Sequence, residues 1–193
     1  MGADELAEPG PGEVQVRVLA SGVAYGDVLK RRGLVPGTPR PPFTPGYDLV
    51  GEVERLGPRT AGLRPGDRVA ALVMNGANAE RVNVKSGRTV PVPPGVDGAE
   101  ALCLVLNYVT AWQMLHRVAR VRPGDRILVH GAAGGVGTAL LELGRLAALE
   151  AYGTASAGKH DLVRRLGATP IDYRTEDFAR RVMELTRGQG LDA

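Results

Sequence analysis

The chain has 193 residues, a formal charge of +3, and is 44% apolar and 23% charged, the balance of one globular domain or a pair of small ones. Its basic excess is small and dispersed, with no Lys/Arg block interleaved with aromatics, which excludes a nucleic-acid footprint. The single cysteine, Cys103, excludes an internal disulfide framework and a structural zinc held by several thiolates.

Residues 1–13 are polar and acidic and lack the apolar segment of a secretory leader. The longest apolar stretch, residues 101–112, is interrupted by Asn107 and is too short to cross a bilayer. A cytoplasmic, reducing location is expected, with Cys103 as a buried small hydrophobe. Val14, Val16 and Val18 alternate with polar residues, the period of a half-buried strand. Residues 25–33 read as a short helix ending at Gly33, and the proline-rich VPGTPRPPFTPG that follows is a loop. Residues 47–57 read as a strand. RPGDR at 64–68 is a turn feeding another strand: Pro65 presets φ and Gly66 supplies the positive φ of a type II turn. Residues 79–84 alternate again. Residues 1–94 are expected to form a β-rich domain that begins at its second element.

The texture changes at Pro94, and residues 95–193 read as α/β. Asp97 or Gly98 is expected to cap a partly buried helix running to Ala119, broken near 107–110. A second RPGDR turn, at 122–126, leads into a strand ending at His130, a glycine cluster, a helix from about Gly135 and a strand at 150–154. Such short apolar strands suit a buried parallel sheet. Residues 159–166 read as a helix, 169–172 as a third strand, and 175–185 as a helix with Phe178, Val182 and Leu185 on one face. Leu191–Ala193 reads as the start of a fourth parallel strand, so the chain is expected to be truncated at both ends.

The strongest motif is His130-Gly131-Ala132-Ala133-Gly134-Gly135-Val136-Gly137, placed between an apolar strand and an amphipathic helix. In that context the early glycines permit a tight turn and close approach to a pyrophosphate, and Gly137 permits close helix–strand packing. The helix N-terminus offers N–H groups to the phosphates. NAD sites place an acidic residue about 20 residues later to hold the ribose diol. This chain instead has Thr154, Ala155, Ser156 and, shortly after, Lys159. A hydroxyl and an ammonium suit a 2′-phosphate, so NADPH is expected over NADH. The three histidines, His116, His130 and His160, all lie outside the β-rich half. Structural roles are expected for them, and no metal site.

At these residues the chain resembles the zinc-free quinone oxidoreductase branch of the medium-chain dehydrogenase/reductase superfamily. The stretches that carry it are LASGVAYGDVLKRRG (19–33), FTPGYDLVGEVERLG (43–57), GDRV (66–69), LNYVTAW (106–112), ILVHGAAGGVG (127–137), GTASAGKH (153–160) and IDYRTEDF (171–178). The last three look most like the subgroup containing the synaptic vesicle membrane protein; polyketide enoylreductase domains are a more distant resemblance. It implies a GroES-like β-rich substrate domain (1–94) followed by part of a doubly wound Rossmann domain (95–193). It also implies NADP(H) as cofactor, hydride transfer to a small quinone or enone, and a homodimer in the full-length form. Zinc-binding members carry a Cys within the segment matching Ser21–Asp27 and Gly-His-Glu where this chain has Gly46-Tyr47-Asp48. Carried over residue by residue, the cofactor-binding positions are Thr110 near the nicotinamide, Ala133, Gly134, Gly135 and Val136 at the pyrophosphate, Thr154 on the following strand, Ser156 and Lys159 at the 2′-phosphate, and Tyr173 by the adenosine phosphate. The family commonly has Asn after SGV, where this chain has Ala24. Tyr25 and Asp27 are the polar candidates left nearby, and Tyr25 is the expected proton donor. A non-catalytic NADPH-binding sensor, or an enoylreductase domain of a larger synthase, are the alternative readings.

Overall fold

The computed structural model describes residues 6–193; the first five residues of the polar opening, part of the stretch read as lacking a leader, lie outside the described residues. The chain packs as two compact units, one extending to Leu106 and the other spanning Asn107–Ala193.

The first unit contains β1 (Glu13–Ser21), α1 (Tyr25–Arg31), β2 (Asp48–Leu56), β3 (Arg68–Leu72), β4 (Arg81–Lys85), β5 (Thr89–Pro91) and α2 (Gly98–Cys103). Its sheet has the order β4-β1-β2-β3-β5, and every neighbouring pair is antiparallel. The alternation of β1 does what its period predicts: Val14 and Val16 are fully buried, in one cluster with Leu49, Val53, Val69 and Val84. Each such side chain contributes roughly 1.5–3 kcal/mol by leaving water. Val50, its neighbours Leu49 and Gly51 flanking it in β2, packs instead with Ala101 and Leu102 of α2. That contact ties α2 to the first unit, so the sequence division at 94/95 and the packing division at 106/107 bracket this helix. Asp97 is its cap, its Oδ1 accepting the N–H groups of Ala99 and Glu100 at 2.9 and 3.1 Å.

The second unit contains α3 (Val109–Trp112), β6 (Arg126–Val129), α4 (Gly135–Leu146), β7 (Glu150–Ala155), α5 (His160–Arg165), β8 (Thr169–Asp172) and α6 (Phe178–Leu185). The sheet is parallel, in the order β6-β7-β8. Leu191–Ala193 runs beside β6: the Ala193 N–H donates to the Arg126 carbonyl at 3.2 Å and the Leu128 N–H to the Ala193 carbonyl at 3.0 Å. One residue bonding to both i−1 and i+1 across the gap is the slanted ladder of a parallel pair, as expected for a fourth strand.

Two local expectations change. The helix is not broken near 107–110; Leu104–Tyr108 widens into a π-helical stretch that keeps the backbone hydrogen-bonded. Cys103 is exposed rather than buried, because α2 turns Ala101 and Leu102 toward the sheet and leaves the next position outside. The two RPGDR turns are the same solution used twice. Gly66 and Gly124 sit at φ +90° and +89°. In each, the Asp N–H bonds back to the Arg carbonyl (3.1 and 3.0 Å), while the Asp carboxylate accepts the Arg N–H at 2.7 Å.

The first unit also buries charge. Asp27, Lys30 and Asp48 are each 5% exposed. Asp48 Oδ1 has no hydrogen-bond partner among the described residues. Burial pushes the Asp48 carboxyl above the usual range, and the nearby Asp27 charge adds to this against the backbone N–H of Gly22. The folded state therefore holds this proton to higher pH than the unfolded chain does. The contribution is favourable below the unfolded pKa and is lost as pH rises through the folded one. Asp48→Asn, which cannot ionise, is expected to gain on the wild type as pH rises from about 4 to about 8 in urea unfolding. A gap that does not widen with pH would show that Asp48 is ionised in both states.

Candidate cofactor site

The carboxyl ends of β6, β7 and β8 form one edge of the parallel sheet, the edge at which open α/β sheets take their ligands. The chain leaving β6 makes the glycine loop. Gly131 has φ +65° and its carbonyl accepts the Gly134 N–H at 2.9 Å, closing the turn. Gly134 is the N-cap of α4 and brings no capping side chain. The first N–H groups of α4, at Gly135, Val136 and Gly137, therefore have no intrahelical acceptor and no cap. α6, by contrast, is capped by Asp177, whose Oδ1 accepts from Ala179 and Arg180. Ala133 and Val136 are half-buried against the core of this unit, which anchors the loop from below.

Close packing is visible at Gly137, where an added Cβ would lie 2.4 Å from the Gly131 carbonyl oxygen and 2.8 Å from Ala132 Cα. Gly135 is crowded differently, since its Cβ would meet the Asn107 carboxamide at 2.9 Å. Asn107 was legible in the sequence only as a polar interruption of an apolar run; the fold sets it against the first turn of α4. Tyr108 reinforces this contact, its hydroxyl donating to Glu142 of α4. Thr110 lies in α3, half-buried.

Thr154 is 3% exposed and works on the loop. Its Oγ1 accepts the Gly131 N–H at 3.1 Å and lies 3.2 Å from His130 Nδ1, while its carbonyl accepts the Ala132 N–H at 3.0 Å. It holds the loop onto the end of β7. Ser156 and Lys159 share the turn after β7, with the Lys159 N–H donating to the Ser156 carbonyl at 2.8 Å. Tyr173 follows β8 and is 53% exposed. The β7–β8 register ends at Ala155 opposite Asp172, and Ser156 and Tyr173 are the residues that follow on the two strands. The structure thus brings Ala133–Val136, Thr154, Ser156, Lys159 and Tyr173 to a single sheet edge.

Tyr25 belongs to the first unit, where it opens α1 and is 73% exposed. Its neighbour Ala24 is the N-cap, with an N–H that donates to Asp27 Oδ2 at 2.9 Å. Asp27 Oδ1 accepts the Gly46 N–H at 2.9 Å, so this carboxylate joins α1 to the start of β2. Lys30 is a residue the sequence did not single out. Its Nζ bonds to the Met74 carbonyl and to Asn75 Oδ1 (2.9 Å) and stands 3.7 Å from the centroid of the Tyr47 ring. The histidines make packing contacts: His130 meets Phe178 edge-on at 4.8 Å, His116 meets Trp112 at 5.2 Å, and His160 Nε2 lies 3.2 Å from the Ala155 carbonyl. Among the described residues no three His, Cys, Asp or Glu side chains converge as metal ligands would, and no helix is long and apolar enough to cross a membrane.

An antiparallel five-stranded unit followed by a parallel strand–helix–strand unit with an uncapped glycine cradle defines a two-part protein of the dinucleotide-fold class. Residues 10–94 match the alcohol dehydrogenase GroES-like domain. The synaptic vesicle membrane protein VAT-1 homolog of Rattus norvegicus is 40% identical over 180 residues, covering 92% of this chain and 45% of that protein. The phthioceranic/hydroxyphthioceranic acid synthase of Mycobacterium tuberculosis is 34% identical over 186 residues, 95% of this chain but 9% of the synthase. Among solved structures, the quinone oxidoreductase of Pseudomonas syringae superposes with a TM-score of 0.93 at 35% identity, covering 98% of this chain and 59% of that one. The Escherichia coli quinone oxidoreductase complexed with NADPH gives 0.92 at 28% identity, covering 97% and 58%. Over nearly its whole length the chain is similar to quinone oxidoreductase-like members of the medium-chain dehydrogenase/reductase superfamily. It spans less than half the length of the curated relative from rat.

Proposed function

We propose that this chain is the cofactor-binding and substrate-side part of an NADPH-dependent oxidoreductase that reduces a quinone or an activated C=C bond without zinc. The observation that carries the reading is the glycine cradle: a turn at positive φ, an uncapped helix start, and helix-to-loop packing at Gly137 too close to admit a Cβ. Such a cradle fits a pyrophosphate, which needs backbone donors and close approach. When bound, the cofactor supplies a hydride. The N–H groups of Gly135, Val136 and Gly137 then receive its phosphates, with Ala133 and Gly134 shaping the turn and Thr154 keeping it closed. Ser156 and Lys159 take the 2′-phosphate, Tyr173 lies by the adenosine phosphate, and Thr110 serves the nicotinamide side. Tyr25 supplies the proton to the reduced acceptor, whose charge is spread onto an oxygen.

Calorimetric titration with NADPH and NADH tests the cofactor part. Lys159→Ala is expected to weaken NADPH binding about tenfold, the worth of one charge-assisted hydrogen bond, and to leave NADH unchanged. Tighter binding of NADH to the wild type would overturn the reading. Quinone- and enone-dependent NADPH oxidation by the full-length protein tests the reaction, and Tyr25→Phe with unchanged turnover would remove that hydroxyl from it. Two alternatives have support of their own. Ala24 puts a methyl group at the start of α1 where the resemblance leads one to expect an amide, which favours NADPH binding without turnover. The similarity to a structure solved as an enoyl reductase favours an enoylreductase domain, which reduction of an α,β-unsaturated thioester in preference to quinones would reveal.

A further inference from the structure

Tyr47 has a half-buried ring and an unengaged hydroxyl. Of the five tyrosines, Tyr108 and Tyr152 direct theirs to Glu142 and Glu150, while Tyr25 and Tyr173 are exposed. Tyr47 is half-buried, yet among the described residues no hydrogen-bond partner takes its hydroxyl. A phenylalanine would fill the same space, so the packing by itself does not call for the oxygen.

The ring is held from two sides. Lys30 Nζ stands 3.7 Å from its centroid. That ammonium is itself fixed, 5% exposed and bonded to the Met74 carbonyl and Asn75 Oδ1. At its far end the phenol rests on the backbone of Gly26, where an added Cβ would lie 2.8 Å from Tyr47 Oη and 3.0 Å from Cε2. The peptide carrying the ring is pinned as well, the Tyr47 carbonyl accepting the Val73 N–H at 2.6 Å. A side chain so confined loses little freedom when its hydroxyl meets a ligand. Gly26 follows Tyr25 in the chain, so the hydroxyl lies against the neighbour of the proposed proton donor.

We infer that Tyr47 is a further catalytic residue, whose hydroxyl donates a hydrogen bond to the carbonyl oxygen of the acceptor. The inference rests on the proposed reduction of a quinone or enone beside Tyr25. A hydride added to a carbon of such an acceptor displaces a π-electron pair onto the carbonyl oxygen. The electron pair gained is the one NADPH loses in becoming NADP+, and a proton from Tyr25 then neutralises the oxygen. A donor already fixed where that charge collects stabilises it without reorganising. The Lys30 ammonium over the ring face adds a positive field, which a half-buried setting screens less than water does. Tyr47 thus selects acceptors whose charge ends on an oxygen: quinones, enones and α,β-unsaturated thioesters.

The test is steady-state kinetics of the full-length protein and its Tyr47→Phe variant with a quinone and an enone. NADPH titration, urea unfolding and an absorbance titration with para-nitrophenol, whose phenolate imitates the charged oxygen, accompany it. Expected for Tyr47→Phe is a fall of about a hundredfold in kcat, the usual loss for one such donor, with KM, NADPH affinity and stability unchanged. Phenolate binding is expected to weaken about tenfold. Phenylalanine keeps the ring under Lys30, so the variant is expected to fold. Full kcat in the variant, while the wild type turns over, overturns the inference alone. A raised KM at unchanged kcat does the same, because it marks binding shared by ground and transition states. So does a loss of kcat matched by lost stability and NADPH affinity, the sign of a purely structural ring. A wild type without quinone- or enone-dependent turnover overturns the proposed reaction and the inference with it.

Discussion

Gly137→Ala is expected to abolish measurable NADPH binding and to lower stability by about 1–3 kcal/mol, the usual cost of forcing an extra carbon into a filled space. The reason is the kind of atom the new methyl meets. Its neighbours are the Gly131 carbonyl oxygen at 2.4 Å and the Ala132 backbone at 2.8 Å, none of which can rotate away as a side chain would. Relief requires α4 to back off from the loop, and that moves the N–H groups of Gly135 and Val136 that the cradle depends on. The loop itself is held by Thr154 and cannot simply follow. Gly158→Ala is the control: nothing lies within 4 Å of an added Cβ there, and a change within about 0.5 kcal/mol is expected. Urea unfolding and NADPH titration of the two variants read both effects. A Gly137→Ala protein as stable as the wild type, with NADPH affinity intact, would mean that the helix and the loop are not in the contact described.

Asp27→Ala is expected to cost about 2–4 kcal/mol, because it leaves two backbone donors unpaired, the one at Gly46 buried and the one at Ala24 part-buried, each at roughly 1–3 kcal/mol. Asp27 is 5% exposed, and its two oxygens take the N–H groups of Ala24 and Gly46 at 2.9 Å each. The first of these opens α1; the second lies beyond the proline-rich loop, next to β2. Losing the carboxylate therefore loosens both ends of the segment that carries Tyr25. Denaturant unfolding is the direct measurement, and turnover of the full-length protein is the companion to it. Unchanged stability with lost turnover would reverse the assignment and make Asp27 a group that acts on substrate.

The fate of Asp27 shows where sequence reading stops. In the sequence it is one of two polar residues near Ala24, which points to the substrate. Its partner Gly46 stands 19 positions away, across a proline-rich stretch with no periodicity to follow. The burial of Lys30 is hidden for the same reason, since the Met74 carbonyl and Asn75 that hold it come from a distant loop. Thr154 lies on the strand after the glycine loop, as the sequence predicts, yet only the fold shows its hydroxyl holding Gly131, 23 positions earlier. Cys103 failed in the opposite direction: its apolar neighbours suggested burial, but the turn of α2 decided which of them face the sheet.

What the sequence determined alone is whatever depends on residues close together along the chain. The alternation of Val14 and Val16 shows which face of β1 is buried. The Pro-Gly-Asp order sets both RPGDR turns, because a ring-locked φ, a positive φ and a short carboxylate act within four residues. The glycine spacing after β6 marks the tight turn at the start of α4. What only the tertiary structure decided is which distant groups meet: Asn107 against Gly135, Thr154 on Gly131, and Asp27 on Gly46. Backbone conformation follows from local sterics and so is written in short stretches of sequence. Burial and the neutralisation of charge follow from packing between segments far apart in the chain, and no short stretch contains them.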